Sequence, residues 1–488
     1  MHLLFAAAEL APLVKVGGLG EAACGLVRSI RELGHRVDVV IPDYGPSELE
    51  LDGGLAVRLD VPAWAGPAFV RRFELNGIGE VHAIDVPGIR RHHPYVHVGT
   101  GLGWADNDRR FFAFSRAVSA LAELLRPDVV HLNDWHCAAA LASLEESVPT
   151  VFTVHNLAYQ GWANHGWLDA LGPRSHAFGF GGDCNPMAGA LRLADRIVAV
   201  SPTYAAEIRL PGHGEGLHEL LSARDEALVG IRNGIDTERW NPATDELLPA
   251  NYRPSELAGR DICHKELRRL AGFDGDDEPV IGVVARMVAQ KGIDVALQLV
   301  PLLATMPAHL VIVGDGDPAV IDQAQRYAAR YPDRVWYAPY SDLVAHLVVA
   351  GADVMLMPSR FEPCGLTQME AMAYGTVPVV NGVGGLRDTV IDADAQPHGG
   401  NGFVADVADP VHLLDALHRA LRASRNRRRW QGIQRRGMQA DWSWQQPAAT
   451  HLALYDELLA GSTGGAGSAA RTASMVGAGR SLKVSSSR

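Results

Sequence analysis

Short apolar runs, each closed by a glycine or polar turn and followed by a helical pattern, recur along this chain in two separate series. The first comprises Leu3–Ala8, Arg36–Ile41 (with Asp38 inside it), Val129–Leu132, Val151–Val154 and Arg196–Val200. The second comprises Pro279–Ala285, His309–Val313, Val335–Ala338, Val354–Pro358 and Val377–Val380. Such runs read as strands covered on both faces, the pattern of parallel sheets flanked by helices. Helical periodicity fills the intervals, as over Asn107–Leu125, Gly292–Leu303 and Leu366–Tyr374. The pattern therefore predicts an α/β chain with two doubly wound, Rossmann-like domains facing across a cleft, where ligands bind at the carboxyl ends of the strands. We expect one domain over residues 1–245 and a second over 246–440. The Pro-rich polar stretch Asn241–Arg260 reads as a linker between them. An amphipathic helix over Trp442–Leu459 follows, within 441–460. Residues 461–488, rich in Gly, Ser and Ala, read as a disordered tail.

A chain of 488 residues with 47% hydrophobic content is long enough for two or three domains with their own cores. Its net charge of −12 argues against a nucleic-acid partner and against an anionic membrane surface. A phosphate-bearing ligand then needs local cations within an acidic body. The cysteines (Cys24, Cys137, Cys184, Cys263 and Cys364) are odd in number, widely spaced and contain no CxxC pair. This points to free thiols in a reducing compartment and to no zinc site. The apolar start Met1–Ala8 has no basic leader and reads as a first buried strand, not a signal peptide. No run is long enough to cross a bilayer, so the expected location is the cytoplasm. The sequence is silent on oligomeric state.

Four motifs stand where strands end. Lys15-Val16-Gly17-Gly18-Leu19-Gly20-Glu21 lies between the first strand and a helical stretch. Glycines let the backbone approach a ligand, and a helix N-terminus favours an anion; a glycine pair alone equally suits a plain turn. It is neither a Walker loop nor a GxGxxG fingerprint. Arg286 and Lys291 follow the strand Pro279–Ala285, five residues apart. They can converge on one diphosphate, and the spacing equally suits two exposed surface charges. In Pro358–Glu370, Glu362 is expected on a loop and Glu370 in the following helix. The amides near Gly365, Leu366 and Thr367 open that helix toward an anion. The alternative there is a pair of solvated carboxylates. Asn133-Asp134-Trp135-His136 and Thr153-Val154-His155-Asn156 end two strands of the first domain. For either histidine a structural hydrogen bond is the competing role.

Together these segments resemble the bacterial and plant glycogen/starch synthase family. The KxGGLG loop, HxNDWH, TVHN, SPTYAAEI, RNGID, ARMxxQKG and SRFEPCGLTQxEAMxYGTxPVV occur in that family's order, over residues 1 to about 459. The resemblance implies the two-domain GT-B architecture, with the last helix crossing back to an acceptor-side first domain and the nucleotide sugar held by the second. It implies retaining glucosyl transfer from ADP-glucose to an α-1,4-glucan such as glycogen, without metal or pyridoxal phosphate; the sequence does not settle ADP-glucose against UDP-glucose. By position, Lys15, Gly17 and Gly18 approach the donor phosphates and sugar, and Arg286 and Lys291 neutralise the leaving diphosphate. Glu362 lies near the transferred glucose, with Gly365, Leu366 and Thr367 on the donor, and Glu370 near the ribose. Asp134 and His155 line the glucose site. Tyr340 matches the position that packs on adenine, Asn233 and Tyr95 match positions near donor or acceptor, and Glu9 matches an acidic site residue. Glu21 departs from the pattern, where the family usually has Asp, and Pro211–Leu217, with His213 and Glu215, matches only loosely. The competing functions are another GT-B glucosyltransferase making sucrose or trehalose phosphate, a pyridoxal-phosphate-dependent glucan phosphorylase, and a non-catalytic glucan-binding protein.

Overall fold

A computed structural model describes residues 1–45, 56–97, 100–273, 278–303, 307–407 and 409–463. The two series of apolar runs form two sheets. The first has nine strands, in the order Leu228–Gly230, Arg196–Ala199, Thr150–Val154, Val129–Asn133, His2–Ala6, Arg36–Pro42, Gly79–Asp85, Ala68–Leu75 and Val57–Leu59. The strands from Leu228–Gly230 through Gly79–Asp85 are parallel, and the last two strands are antiparallel additions. That antiparallel edge was not among the runs read as strands. Ala68–Leu75 alternates buried and exposed residues, as an antiparallel strand wet on one face does, so a search for continuous apolar runs passes over it.

The second sheet is wholly parallel, in the order Val335–Ala338, His309–Val313, Val280–Val284, Val354–Met357, Val377–Asn381 and Phe403–Ala405. Numbered along the chain within this sheet, the order is 3-2-1-4-5-6, that of dinucleotide-binding sheets. The direction of winding reverses between Val280–Val284 and Val354–Met357. In the first sheet it reverses between His2–Ala6 and Val129–Asn133. A crevice opens at each reversal because the connections on either side depart to opposite faces.

The helices match the expected segments closely. Asn107–Leu125 is helical over the expected span, and Ile293–Leu303 and Thr367–Ala373 fall within theirs. The helix after the glycine loop begins at Gly18, inside the motif. Two readings need correction. Asn241–Arg260 is no free linker: Asp245 accepts hydrogen bonds from His346 (2.7 Å) and the Tyr374 hydroxyl (2.6 Å), Trp240 stacks on His346, and Tyr252 is buried. Its prolines and polar groups make local turns and anchor to the second sheet's helices. The final helix runs Gln445–Thr463, so 461–463 belong to it and not to a tail; residues 464–488 lie outside the described residues.

That helix returns to the first sheet. Its buried residues Ala448, His451, Leu452, Tyr455 and Leu458 recur at helical spacing. The Tyr455 hydroxyl reaches His131 Nδ1 at 2.7 Å, and His131 Nε2 lies 2.6 Å from Thr153 Oγ1. Trp444, at its entrance, packs on the helix Gly18–Glu32 where Gly25 leaves room: a Cβ on Gly25 falls 2.0 Å from the indole nitrogen. We predict that Gly25→Ala costs about 1–3 kcal/mol by overpacking, read as a lowered Tm in calorimetry; an unchanged Tm contradicts this docking.

Candidate active site

All four motifs sit at the carboxyl ends of strands beside the two reversals. Lys15–Glu21 follows His2–Ala6, and Asp134 follows Val129–Asn133. Arg286 and Lys291 follow Val280–Val284, and Glu362 follows Val354–Met357. Each crevice is therefore flanked by a pair of motifs far apart in sequence.

In the second domain the pair is joined directly. Lys291 Nζ lies 2.5 Å from Glu362 Oε2, and Ser359 Oγ donates to the same oxygen at 3.0 Å. Glu362 is buried. The glycine between Lys291 and the next helix makes this closeness feasible: Gly292 has φ of +65°, and a Cβ there would stand 2.1 Å from the Pro358 carbonyl oxygen. From the far side, the Gly385 amide donates to the Glu362 carbonyl at 3.0 Å. Arg286 is exposed, and its guanidinium has no hydrogen-bond or ion-pair partner among the described residues. A cation left unpaired beside a paired one is suited to an incoming anion.

The first domain builds its half around Glu9. Glu9 Oε2 accepts the amides of Val16 (2.7 Å) and Gly17 (3.0 Å), while Oε1 accepts the Tyr95 hydroxyl at 2.8 Å. One carboxylate oxygen thus holds the glycine loop in shape, and the other is anchored by Tyr95. Glu9 and Tyr95 are brought together, but as a clamp beneath the loop. Lys15 pairs with Glu21 at 2.7 Å. Gly18 faces the second domain, where a Cβ would meet Leu366 Cδ1 at 3.7 Å.

Asp134 carries backbone strain, with φ of +54° and ψ of 177°, a conformation that glycine usually supplies. It is held there by its amide bonding the Thr153 carbonyl at 2.9 Å and by its carboxylate accepting the His155 amide at 2.8 Å. Burial pushes the Asp134 carboxyl up to about 7, against the pull of the His155 and Asn156 amides. Burial drives the His155 imidazole down to about 3, so it is neutral at pH 7. Asn133 donates to the Ala6 carbonyl at 2.9 Å, which turns its oxygen toward His155 Nε2, also at 2.9 Å. His155 therefore donates from Nε2.

Asn233 is buried, and its main-chain N–H is directed at the Cys364 sulfur, tying the RNGID turn to the Glu362 loop. Glu370 is also buried. Burial, with the nearby Glu21 charge, raises its carboxyl to about 8, against the opposing pull of Lys15 and Arg239. That coupling puts Lys15, Glu21 and Glu370 in one neighbourhood across the cleft. Tyr340 is 43% exposed, and its hydroxyl donates to Asp342 at 2.8 Å. Asp342 is also paired with Arg239 at 2.9 Å.

Arg239 is the cleft residue that motif reading passed over. It lies in no strand-end motif, and only folding brings it against residues 340–342. A surface concavity of about 920 Å³ lies elsewhere beside Arg192, Arg196 and Arg224. Their guanidiniums are spent on main-chain carbonyls. The cluster Asp38, Glu80 and His82 could geometrically hold a metal ion, but it sits toward the opposite end of the first sheet. Its carboxylates are already paired with Arg36 and Arg72.

Across the two halves, Ser201 Oγ donates to the Pro363 carbonyl (2.6 Å), Thr203 bonds Asp388 through its amide (2.9 Å) and hydroxyl (2.6 Å), and the Gly384 amide donates to Glu207 (2.9 Å). Two Rossmann-like sheets, cations at the second reversal and a glycine loop at the first define a nucleotide-sugar glycosyltransferase of the GT-B class. Residues 2–223 match the family model of the starch synthase catalytic domain, and residues 268–436 match that of glycosyl transferases group 1. A glycogen synthase of Anaeromyxobacter dehalogenans is 41% identical over 476 residues, spanning 94% of this chain and all of that protein. The catalytic domain of starch synthase IV from Arabidopsis thaliana, bound to ADP and acarbose, superposes with a TM-score of 0.85 at 29% identity, covering 94% and 99% of the two chains. A sucrose-phosphate synthase of Thermosynechococcus elongatus, with a TM-score of 0.62 at 19% identity over 94% and 99% of the two chains, shares the fold. The chain belongs to the glycogen/starch synthase family. Among the described residues, no helix is long and apolar enough to cross a membrane.

The Glu370 environment gives a prediction with a definite sign. A carboxyl whose folded pKa exceeds its unfolded value binds protons more tightly when folded, so stability falls as pH rises between the two values. Glu370→Gln removes that penalty. Its Tm relative to wild type should rise between pH 5 and pH 8.5; a pH-independent difference contradicts the buried, proton-holding environment.

Proposed function

We propose that this chain transfers glucose, with retention, from ADP-glucose to the non-reducing end of an α-1,4-glucan such as glycogen, in the cytoplasm. The observation that carries the reading is the Lys291–Glu362 pair at the second reversal, with Arg286 on the same strand-end turn lacking a partner among the described residues, and with the Lys15–Gly18 loop meeting this half at Leu366. The curated relative bears the name glycogen synthase, and the starch synthase structure holds ADP and acarbose. The first favours a glucan acceptor, and the second favours an adenine nucleotide as well.

Breaking the glucose–phosphate bond builds negative charge on the diphosphate and positive charge on the sugar. Arg286 and Lys291 meet the first as it develops, without reorganising, in a partly enclosed site. The amides of Leu366 and Thr367 add dipoles to the same end. In this reading the reaction needs neither a metal ion nor pyridoxal phosphate, because fixed cations take up the departing charge. Glu362 lies beside the transferred glucose, and the His155 carbonyl with Asp134 borders its other side. The acceptor 4-hydroxyl attacks from the face the diphosphate leaves, and a donor phosphate oxygen takes its proton. Glu370 and Tyr340 contact the ribose and the adenine ring. Closure of the lobes excludes water and limits hydrolysis.

Labelled transfer to glycogen is the test. ADP-glucose should be used with a higher kcat/KM than UDP-glucose. Lys291→Ala and Arg286→Ala should each lower kcat by about 30- to 1,000-fold, the roughly 2–4 kcal/mol lost with one preorganised donor to a developing anion. Near-normal turnover in both variants, or transfer only to a small sugar acceptor, overturns the reading.

A further inference from the structure

The loop after Ile208 departs from the family's pattern and has so far played no part in the site. Its chain is strained. Gly212 and Gly216 have φ of +87° and +82°, and between them Glu215, with a side chain, has φ of +48°. A non-glycine residue there costs about 1–2 kcal/mol, so something must hold it. Gln160 does: its Nε2 donates to the Glu215 carbonyl at 2.8 Å, and its Oε1 accepts from Asn185 at 2.7 Å. Gln160 and Asn185 are buried. The exposed side chains of His213 and Glu215 are thus carried on a backbone fixed from beneath.

Both side chains line a cavity of about 240 Å³ shared between the two halves of the molecule. Tyr204 and Glu207 line it from the first half, and Arg360 and Phe361 from the second, immediately before Glu362. Arg360 is preset, with both terminal nitrogens on Asp294 (2.8 and 2.7 Å) and one also on the Ala289 carbonyl (2.8 Å). The cavity is smaller than the ~300–1,000 Å³ of sites that enclose a whole small ligand, which suits one ring of a chain and not a nucleotide sugar. A carboxylate and an imidazole on one wall, with the Phe361 ring on the other, suit a pyranose, which has hydroxyls at its rim and an apolar face. Uneven strain held at such a place is characteristic of ligand-gripping loops.

We propose that this cavity is a subsite for a glucosyl unit of the acceptor glucan, next to the point of transfer, and that Glu215 and His213 bind its hydroxyls. The inference rests on the glucosyltransferase reading above. Glu215→Ala and His213→Ala should each raise the KM for glycogen and for maltotetraose about 10-fold or more, as loss of a hydrogen bond to a charged or polar partner does, with the KM for ADP-glucose unmoved. Glu215→Gly separates binding from folding: it relieves the φ strain, so its Tm should equal or exceed that of wild type while its glucan KM still rises. Unchanged glucan KM in Glu215→Ala, or a rise confined to ADP-glucose, overturns the subsite. Absence of any transfer by the wild-type protein strikes the glucosyltransferase reading instead. Calorimetric titration with maltotetraose then still decides this site: weaker binding by Glu215→Ala supports it, and equal binding overturns it.

Discussion

The contact between Lys291 and Glu362 organises the candidate site. It joins the turns after two strands that are neighbours across the sheet reversal but some seventy residues apart in sequence. Removing either partner would leave a buried or half-buried charge uncompensated, a heavier loss than the pair's own attraction. Around this contact the backbone is fitted closely, with Gly292 against Pro358 and Gly385 against the Glu362 carbonyl. The pair therefore fixes the shape of the crevice, and Arg286, exposed on the same strand-end turn, has no partner among the described residues.

The first domain solves the complementary problem by other means. Gly17 and Gly18 have no side chains with which to pack, so Glu9 grips the loop by the Val16 and Gly17 amides and Tyr95 completes the clamp. Asp134 and His155 are preset by hydrogen bonds that continue the sheet ladder beyond the strand ends. Strain and desolvation gather here, at Asp134 and His155, and the surrounding ladder contacts hold them. Polar contacts between Ser201, Thr203 and Glu207 and the second half set how the two crevices face each other.

Much of this architecture is legible in the chain. Doubly covered strands show as continuous apolar runs, and ligand groups cluster just after them because that is where a parallel sheet offers exposed backbone beside fixed side chains. What stays hidden has physical reasons. Ala68–Leu75 is wet on one face, so its hydrophobic signal is diluted. Residues 241–260 carry the composition of a linker, yet single anchors such as Asp245 and Tyr252 bind them to the second domain. Glu9 reads as one more acidic group at a strand end, because nothing in a linear chain shows that its two oxygens face the loop amides and a tyrosine eighty-six residues away.

By itself the sequence determined the inner parallel strands of two sheets, the turns that end them and the charged residues those turns carry, since apolar period and turn chemistry are local properties. The tertiary structure alone decided which turns meet. It paired Lys291 with Glu362, placed Arg239 and Glu370 beside Lys15 and Glu21, and set the loop bearing His213 and Glu215 against Phe361. Such contacts depend on strand order and on the docking of one half against the other, long-range packing choices that no local pattern encodes.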